Sequence, residues 1–159
     1  MVGQRPGMAA TERDDDPDRH GRVTRASGPT MQLVIVSVAA FACLVLGALA
    51  VFQVLLVLGA PLGRFAWGGQ HRVLPVSLRV GSIFAIVIYA VLAAVVLARA
   101  DLIAAGVPRG VVHTAMWVVV AYFMLGVGLN LASRSKPERA VMAPVSALLC
   151  ASWAVVALG

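Results

Sequence analysis

Four long runs without a charged residue constrain this chain more than any other feature of its sequence. They cover about residues 33–58, 80–98, 111–132 and 140–158. The shortest, residues 80–98, would extend roughly 28 Å as an α-helix with a rise of about 1.5 Å per residue. The hydrocarbon core of a bilayer is about 30 Å thick. Each run is therefore long enough to cross a membrane as a helix.

The overall composition excludes an ordinary soluble domain. Apolar residues make up 60% of the chain and charged residues 13%, and the mean hydropathy is +0.91. Soluble domains are about half apolar and about one quarter charged. A spanning segment must satisfy its own backbone polar groups, and the runs lack the alternating pattern of a barrel strand. The sequence predicts an all-α, polytopic membrane protein, an up-and-down bundle of four transmembrane helices.

Residues 1–28 have a different composition from the transmembrane domain predicted over residues 29–158. Acidic residues and arginines are mixed there with few bulky apolar residues. Little apolar surface is present to offset the entropy of ordering, so we expect a disordered, charged N-terminal tail. Met31 lies at the edge of the first run. Translation from Met31 instead of Met1 is therefore an open alternative.

Small residues recur at helical spacing within the runs. In the fourth run, one arc of about 100° contains six of them. These are Ala140, Ala143, Ala147, Cys150, Ala151 and Ala154. Similar faces contain Ala39, Cys43, Gly47, Ala50 and Gln53 in the first run, Gly81, Ala85 and Tyr89 in the second, and Tyr122, Gly126 and Asn130 in the third. Membrane helices associate through such faces, so we predict that they point inward; a looser bundle that dimerises through some of them is the alternative.

Two polar residues lie near run ends that are next to the same pair of loops. Gln53 is near the end of the first run and Asn130 near the end of the third. Polar side chains at this depth are costly unless they are paired, so intramembrane packing contacts are expected for both. Ser135 and Glu138 have the spacing of a capping box, which predicts that the fourth helix begins before Ala140. Pro144 then lies inside that helix and predicts a kink.

The two loops at this end contain the candidate binding residues. These are Arg64, Trp67, His71, Arg72 and Arg79 in and after the first loop, and Arg134 and Glu138 in and after the third. Arginine can hold a phosphate or carboxylate through two parallel hydrogen bonds, so the set predicts a ligand or lipid-headgroup site. Trp67 is expected at one membrane interface, and Trp117 and Trp153 at the other.

The distribution of basic residues favours one orientation without deciding it. The first and third loops have six basic residues and the second has two, which favours a cytoplasmic location for residues 59–79 and 133–139. Four arginines of the tail, at positions 13, 19, 22 and 25, would raise the opposite side to six. Orientation is therefore open if the tail is present.

No pattern for catalysis, metal binding or a cofactor stands out. None of the runs contains the acidic residue of a proton-coupled exporter, and the chain has no zinc-type or nucleophile motif. A basic, aromatic-interleaved face for nucleic acid is also lacking. Interactions with the bilayer, and with an anionic lipid or a membrane-protein partner, fit the composition. We expect a non-enzymatic scaffold or accessory protein; the alternative is a small transporter or membrane enzyme that handles an amphiphile at the face of His71 and the arginines.

Two stretches resemble known proteins. The first is Gly-Ala-Pro-Leu-Gly-Arg-Phe-Ala-Trp-Gly-Gly-Gln-His-Arg-Val-Leu-Pro, residues 59–75, with Leu78 and Arg79; the second is Ser-Arg-Ser-Lys-Pro-Glu-Arg, residues 133–139, before the run with Pro144. Over about residues 33–158 the chain resembles a family of small bacterial four-span integral membrane proteins of unknown function. The resemblance implies the four-span architecture and a multi-pass location in the bacterial inner membrane, and it implies no activity.

Overall fold

The described part of the chain forms four long α-helices and two short 3₁₀ turns. The computed structural model describes residues 28–104 and 106–159, so the predictions for the tail and for the translation start lie outside the described residues. Helix α1 covers Pro29–Val57, α2 covers Val76–Arg99, α3 covers Arg109–Leu131 and α4 covers Lys136–Leu158. All four are long and apolar enough to span a membrane. The all-α, four-span prediction is confirmed.

Proline and serine residues set the starts of the helices. Pro29 lies in the first turn of α1, and Pro75 and Pro108 are the residues directly before α2 and α3. Proline suits these positions because the first backbone N–H groups of a helix have no partner within it. Ser135 caps α4, which begins before Ala140 as the capping motif predicted, and the helix continues through Pro144.

The helices form a closed up-and-down bundle. Each helix packs against the next along the chain, and α1 packs against α4 to complete the ring. The end of α1, the start of α2, the end of α3 and the start of α4 therefore lie together, and we call this the capped end. The length and apolar composition of the four helices indicate a multi-pass membrane protein.

Large side chains, and not a stripe of small ones, form the inner face of α4. Ala140, Ala147 and Ala151 are exposed, whereas Leu149 and Trp153 are buried in the main core. The prediction that the small face of α4 points inward is therefore wrong for three of its six members, whereas Ala143 is buried and Cys150 and Ala154 pack against the core. Lipid and the interior of a membrane protein are similarly apolar, so small-residue spacing alone does not identify the inner face.

The position of Trp153 also differs from the expected one. Its ring is fully buried and lies 6.0 Å from the ring of Phe123 between centroids. The expectation of an interfacial anchor at Trp153 is wrong, while Trp117 is 42% exposed on the outside of α3.

Cys43 and Cys150 are free thiols, and the Cys150 thiol donates to the backbone oxygen of Val120 at 3.7 Å.

Candidate functional site

The connection between α1 and α2 folds over the end of the bundle, and we call residues 59–75 the cap. It contains the 3₁₀ turns Gly63–Phe65 and Trp67–Gly69. The Gly63 N–H donates to the Arg72 oxygen at 3.1 Å, which ties the two sides of the cap together. Leu56, Ala66 and Leu74 form a small buried cluster between the cap and α1. The cap is therefore a folded element with its own apolar contacts.

Two side chains at the start of α4 hold the cap in place. The Ser135 hydroxyl donates to the Arg64 backbone oxygen at 2.6 Å, and Oε2 of Glu138 accepts from the Gly68 N–H at 3.0 Å. The Ser133 hydroxyl donates to the same Oε2 at 2.5 Å. In a full capping box Glu138 would bond back to the Ser135 N–H, but here it reaches the cap instead. Ser135 keeps its half of the motif and accepts from the Glu138 N–H at 3.4 Å.

Close backbone approaches explain two glycines near this attachment. Gly69 has a φ of +67°, and a Cβ placed there would collide with the Ser135 side chain. Gly81 of α2 lies under the ring of Trp67, where an added Cβ would be 2.6 Å from a ring carbon. Trp67 also donates from Nε1 to the Ser82 hydroxyl at 3.3 Å. These contacts press the cap against both α2 and the start of α4.

The exposed cations of the capped end form what we call the basic surface. Its members are Arg64, Arg72, Arg134, Lys136 and Arg139. The Arg64 guanidinium lies over the ring of Phe65, 4.7 Å from its centroid. Arg79 is less exposed, and its Nε donates to the Leu74 oxygen at 2.9 Å, so part of this guanidinium is engaged within the protein. Glu138, the one acidic residue at this end in the described ranges, is buried, so it does not neutralise the exposed charges.

A cavity of about 180 Å³ lies between the cap and the bundle. All four helices contribute to its wall, and two kinds of side chain dominate it. The aromatic ones are Phe52, Phe65, Trp67, Tyr89, Tyr122 and Phe123, and the polar ones are Gln53, Asn130, Glu138 and Ser146. Gln53 and Asn130, which the sequence placed near the same end, thus line one cavity.

The two intramembrane amides have different surroundings. Nδ2 of Asn130 donates to the Ser146 hydroxyl at 2.8 Å and lies 3.4 Å from the Met142 oxygen, both on α4. Gln53 is only 8% exposed, and its Oε1 is buried without a hydrogen-bond partner. Asn130 therefore joins α3 to α4, as expected of a packing residue, whereas the acceptor of Gln53 is unused.

Replacing Asn130 with leucine should weaken the packing of α3 on α4. The variant loses the bond to Ser146, and interhelical hydrogen bonds in membranes contribute about 0.6 kcal/mol on average and up to about 1.7 kcal/mol. Unfolding in mixed micelles should show a loss of this size. The Ser146→Ala change and the double variant complete a cycle; a coupling energy near zero would show that the bond contributes nothing.

Five of the seven residues predicted in the loops lie outside the cavity. His71, Arg72 and Arg134 are exposed and do not line it, whereas Trp67 and Glu138 do. Sequence reasoning did not connect the aromatic residues with Gln53 and Asn130. A usable signal was present in the predicted inward faces: Tyr89 lies on the same face of its helix as Gly81, and Tyr122 lies on the same face as Asn130. Within residues 28–104 and 106–159, no three metal-ligating side chains come together.

Fold and site together define the class: an integral, multi-pass membrane protein with a four-helix bundle whose one end is covered by a folded loop. The chain matches no protein-family model, and comparisons with curated proteins and with solved structures give no match.

Proposed function

We propose that this protein is a non-enzymatic accessory protein of the bacterial inner membrane that binds anionic lipid headgroups at the basic surface. The observation that carries the proposal is that hydrogen bonds of Ser135 and Glu138 hold two basic loops together, while the Glu138 side chain is buried. Exposed arginines next to spanning helices lie at the depth of lipid phosphates. The resemblance to small bacterial four-span proteins supports the choice of membrane.

The geometry favours phosphate groups over a single buried ligand. Arg72 and Arg134 are exposed, and they extend from the two different loops that the cap attachment brings together. Arginine binds phosphate through two parallel hydrogen bonds and remains charged in proteins. A protein partner with an acidic surface is the other occupant that fits. The alternative of a transporter or enzyme that works through His71 has no supporting contact, because His71 is exposed and lies outside the cavity.

Neutralising two arginines of the basic surface should weaken the retention of anionic lipid. Each basic side chain near an anionic surface contributes about 1 kcal/mol, so the Arg72→Gln, Arg134→Gln pair should lower the affinity for phosphatidylglycerol roughly thirtyfold. Native mass spectrometry from maltoside micelles can measure the retained lipid. The matched control is the Arg99→Gln, Arg109→Gln pair, which changes the same number of arginines at the opposite end of the bundle.

Two results would contradict the proposal. One is equal retention of phosphatidylglycerol and phosphatidylcholine by the unchanged protein. The other is an equal loss of lipid from both pairs of variants. With equal retention of the two lipids, a protein partner becomes the better explanation of the basic surface, and cross-linking from positions 72 and 134 in native membranes would identify it.

A further inference from the structure

The cavity under the cap contains a hydrogen-bond acceptor that the protein leaves unused. Gln53 is 8% exposed and lines the cavity, and its Oε1 has no hydrogen-bond partner. Tyr89 on α2 lines the same cavity, but its hydroxyl makes no hydrogen bond to this oxygen in the structure. Buried acceptors are nearly always paired, by protein, water or ligand. In this arrangement Oε1 can accept a hydrogen bond from a group that enters the cavity.

The cavity wall contains one carboxyl group. It belongs to Glu138, and both of its protein donors, the Gly68 N–H and the Ser133 hydroxyl, bind Oε2. No donor within the described ranges reaches its Oε1. The cations of the basic surface face water, where charge interactions fade over about 8 Å at physiological salt. A charge inside the cavity is screened much less, so Glu138 dominates the local field.

The remaining wall favours a cation over water alone. Six aromatic residues line the cavity, including Trp67, Tyr89 and Tyr122. Aromatic faces attract cations through the negative charge density of the ring. Water can donate to the polar groups of the wall but gains no comparable attraction from the six aromatic rings. An ammonium group with a short carbon stem can donate hydrogen bonds to the polar side chains of the wall and pack its stem against the aromatic ones.

We propose that this cavity binds a small primary ammonium group, with its N–H groups donating to the Gln53 amide oxygen and the Glu138 carboxylate and its carbon stem against the aromatic side chains. The volume of about 180 Å³ is below the roughly 300 Å³ at which sites for drug-sized ligands begin, so the stem is short. The group can belong to a soluble alkylamine or to an ethanolamine lipid headgroup. This site is separate from the basic surface and does not depend on its role.

Calorimetry on the full-length protein in maltoside micelles tests the site with n-butylamine and n-butanol. Alkylamines are protonated at pH 7, as the lysine side chain is, whereas butanol has the same stem without a charge. Butylamine should bind saturably and at least about tenfold more tightly than butanol, the ratio expected from one charged hydrogen bond. Absence of saturable butylamine binding, or equal binding of the two probes, would overturn the proposal.

Variants locate the binding site. Gln53→Met and Glu138→Gln should each weaken butylamine binding about tenfold or more. Gln32→Met is the matched control, because Gln32 lies at the opposite end, where its Nε2 donates to the Ala100 oxygen at 3.3 Å. Gln53→Met also removes the unused acceptor, so this variant should fold well. Butylamine affinity that is unchanged in Gln53→Met, or that falls as far in Gln32→Met, would refute the site.

The source of the ammonium group follows from a competition measurement. Phosphatidylethanolamine added to the micelles should raise the apparent butylamine Kd if the lipid headgroup is the occupant. An unchanged Kd assigns the site to a soluble amine. Either result supports the ammonium site, and neither depends on the arginine variants that test the basic surface.

Discussion

Replacing Trp153 with alanine is expected to lower the free energy of unfolding by about 2 to 3 kcal/mol. Tryptophan-to-alanine changes in soluble cores cost about 3 to 5 kcal/mol, through lost transfer energy and through the cavity left behind. In a bilayer the transfer part is small because lipid is as apolar as the core, so mainly the cavity part remains. Trp153 is fully buried against Phe123, and the surrounding helices cannot close the space without moving. Reversible unfolding in mixed micelles measures the loss.

Two further variants make this test specific. Trp117→Ala removes the same side chain from the outside of α3, where 42% of it is exposed, and should cost less than about 1 kcal/mol. The Nε1 of Trp153 is buried without a partner, so Trp153→Phe removes an unsatisfied donor and should cost much less than Trp153→Ala. Similar losses for Trp117→Ala and Trp153→Ala would contradict the burial of Trp153 in the bundle.

Replacing Glu138 with alanine is expected to release the cap from the bundle. The buried carboxylate accepts from the Gly68 N–H of the cap, and a hydrogen bond to a charged group contributes about 1.5 to 3 kcal/mol. Glu138 also lies in the first turn of α4, where its charge interacts favourably with the helix dipole. Loss of the Gly68 bond therefore corresponds to a roughly ten- to hundredfold increase in opening of the cap.

Hydrogen exchange can report cap release directly. Amides of residues 63–69 should exchange roughly ten- to hundredfold faster in Glu138→Ala, while those in the middle of α3 should change little. The control is Lys136→Ala, which alters an exposed side chain in the same turn without a bond to the cap. Glu138→Gln keeps an acceptor oxygen and should fall between the two. Unchanged exchange at Gly68 in Glu138→Ala would show that the cap is held by other contacts.

The architecture could be predicted because length and charge decide it. Four uncharged runs required four spanning helices, and short connections required neighbours in the chain to pack together. The N-terminal cap of α4 was also predictable, since Ser135 and Glu138 have the spacing of a local motif. These features depend on residues that are close in sequence or on the properties of whole segments.

The inner faces and the site could not be predicted to the same degree. Water separates polar from apolar faces in a soluble bundle, but in lipid both faces of α4 are apolar, so Ala147 and Trp153 gave no such contrast. The bonds from Ser135 to Arg64 and from Glu138 to Gly68 join residues that are 71 and 70 positions apart. No local pattern specifies such pairs. The cavity and the unused Gln53 acceptor follow from them.

The attachment of the cap to α4 uses main-chain atoms of the cap, the Arg64 oxygen and the Gly68 N–H. Residues such as Arg64, Gln70, His71 and Arg72 can therefore be exchanged without loosening these two bonds. With other side chains at these positions, the cap would have an acidic, neutral or aromatic outer surface and the same two bonds to α4. Diversification of the outer surface of the cap would then require substitutions in a single exposed loop, with the membrane-embedded part left intact.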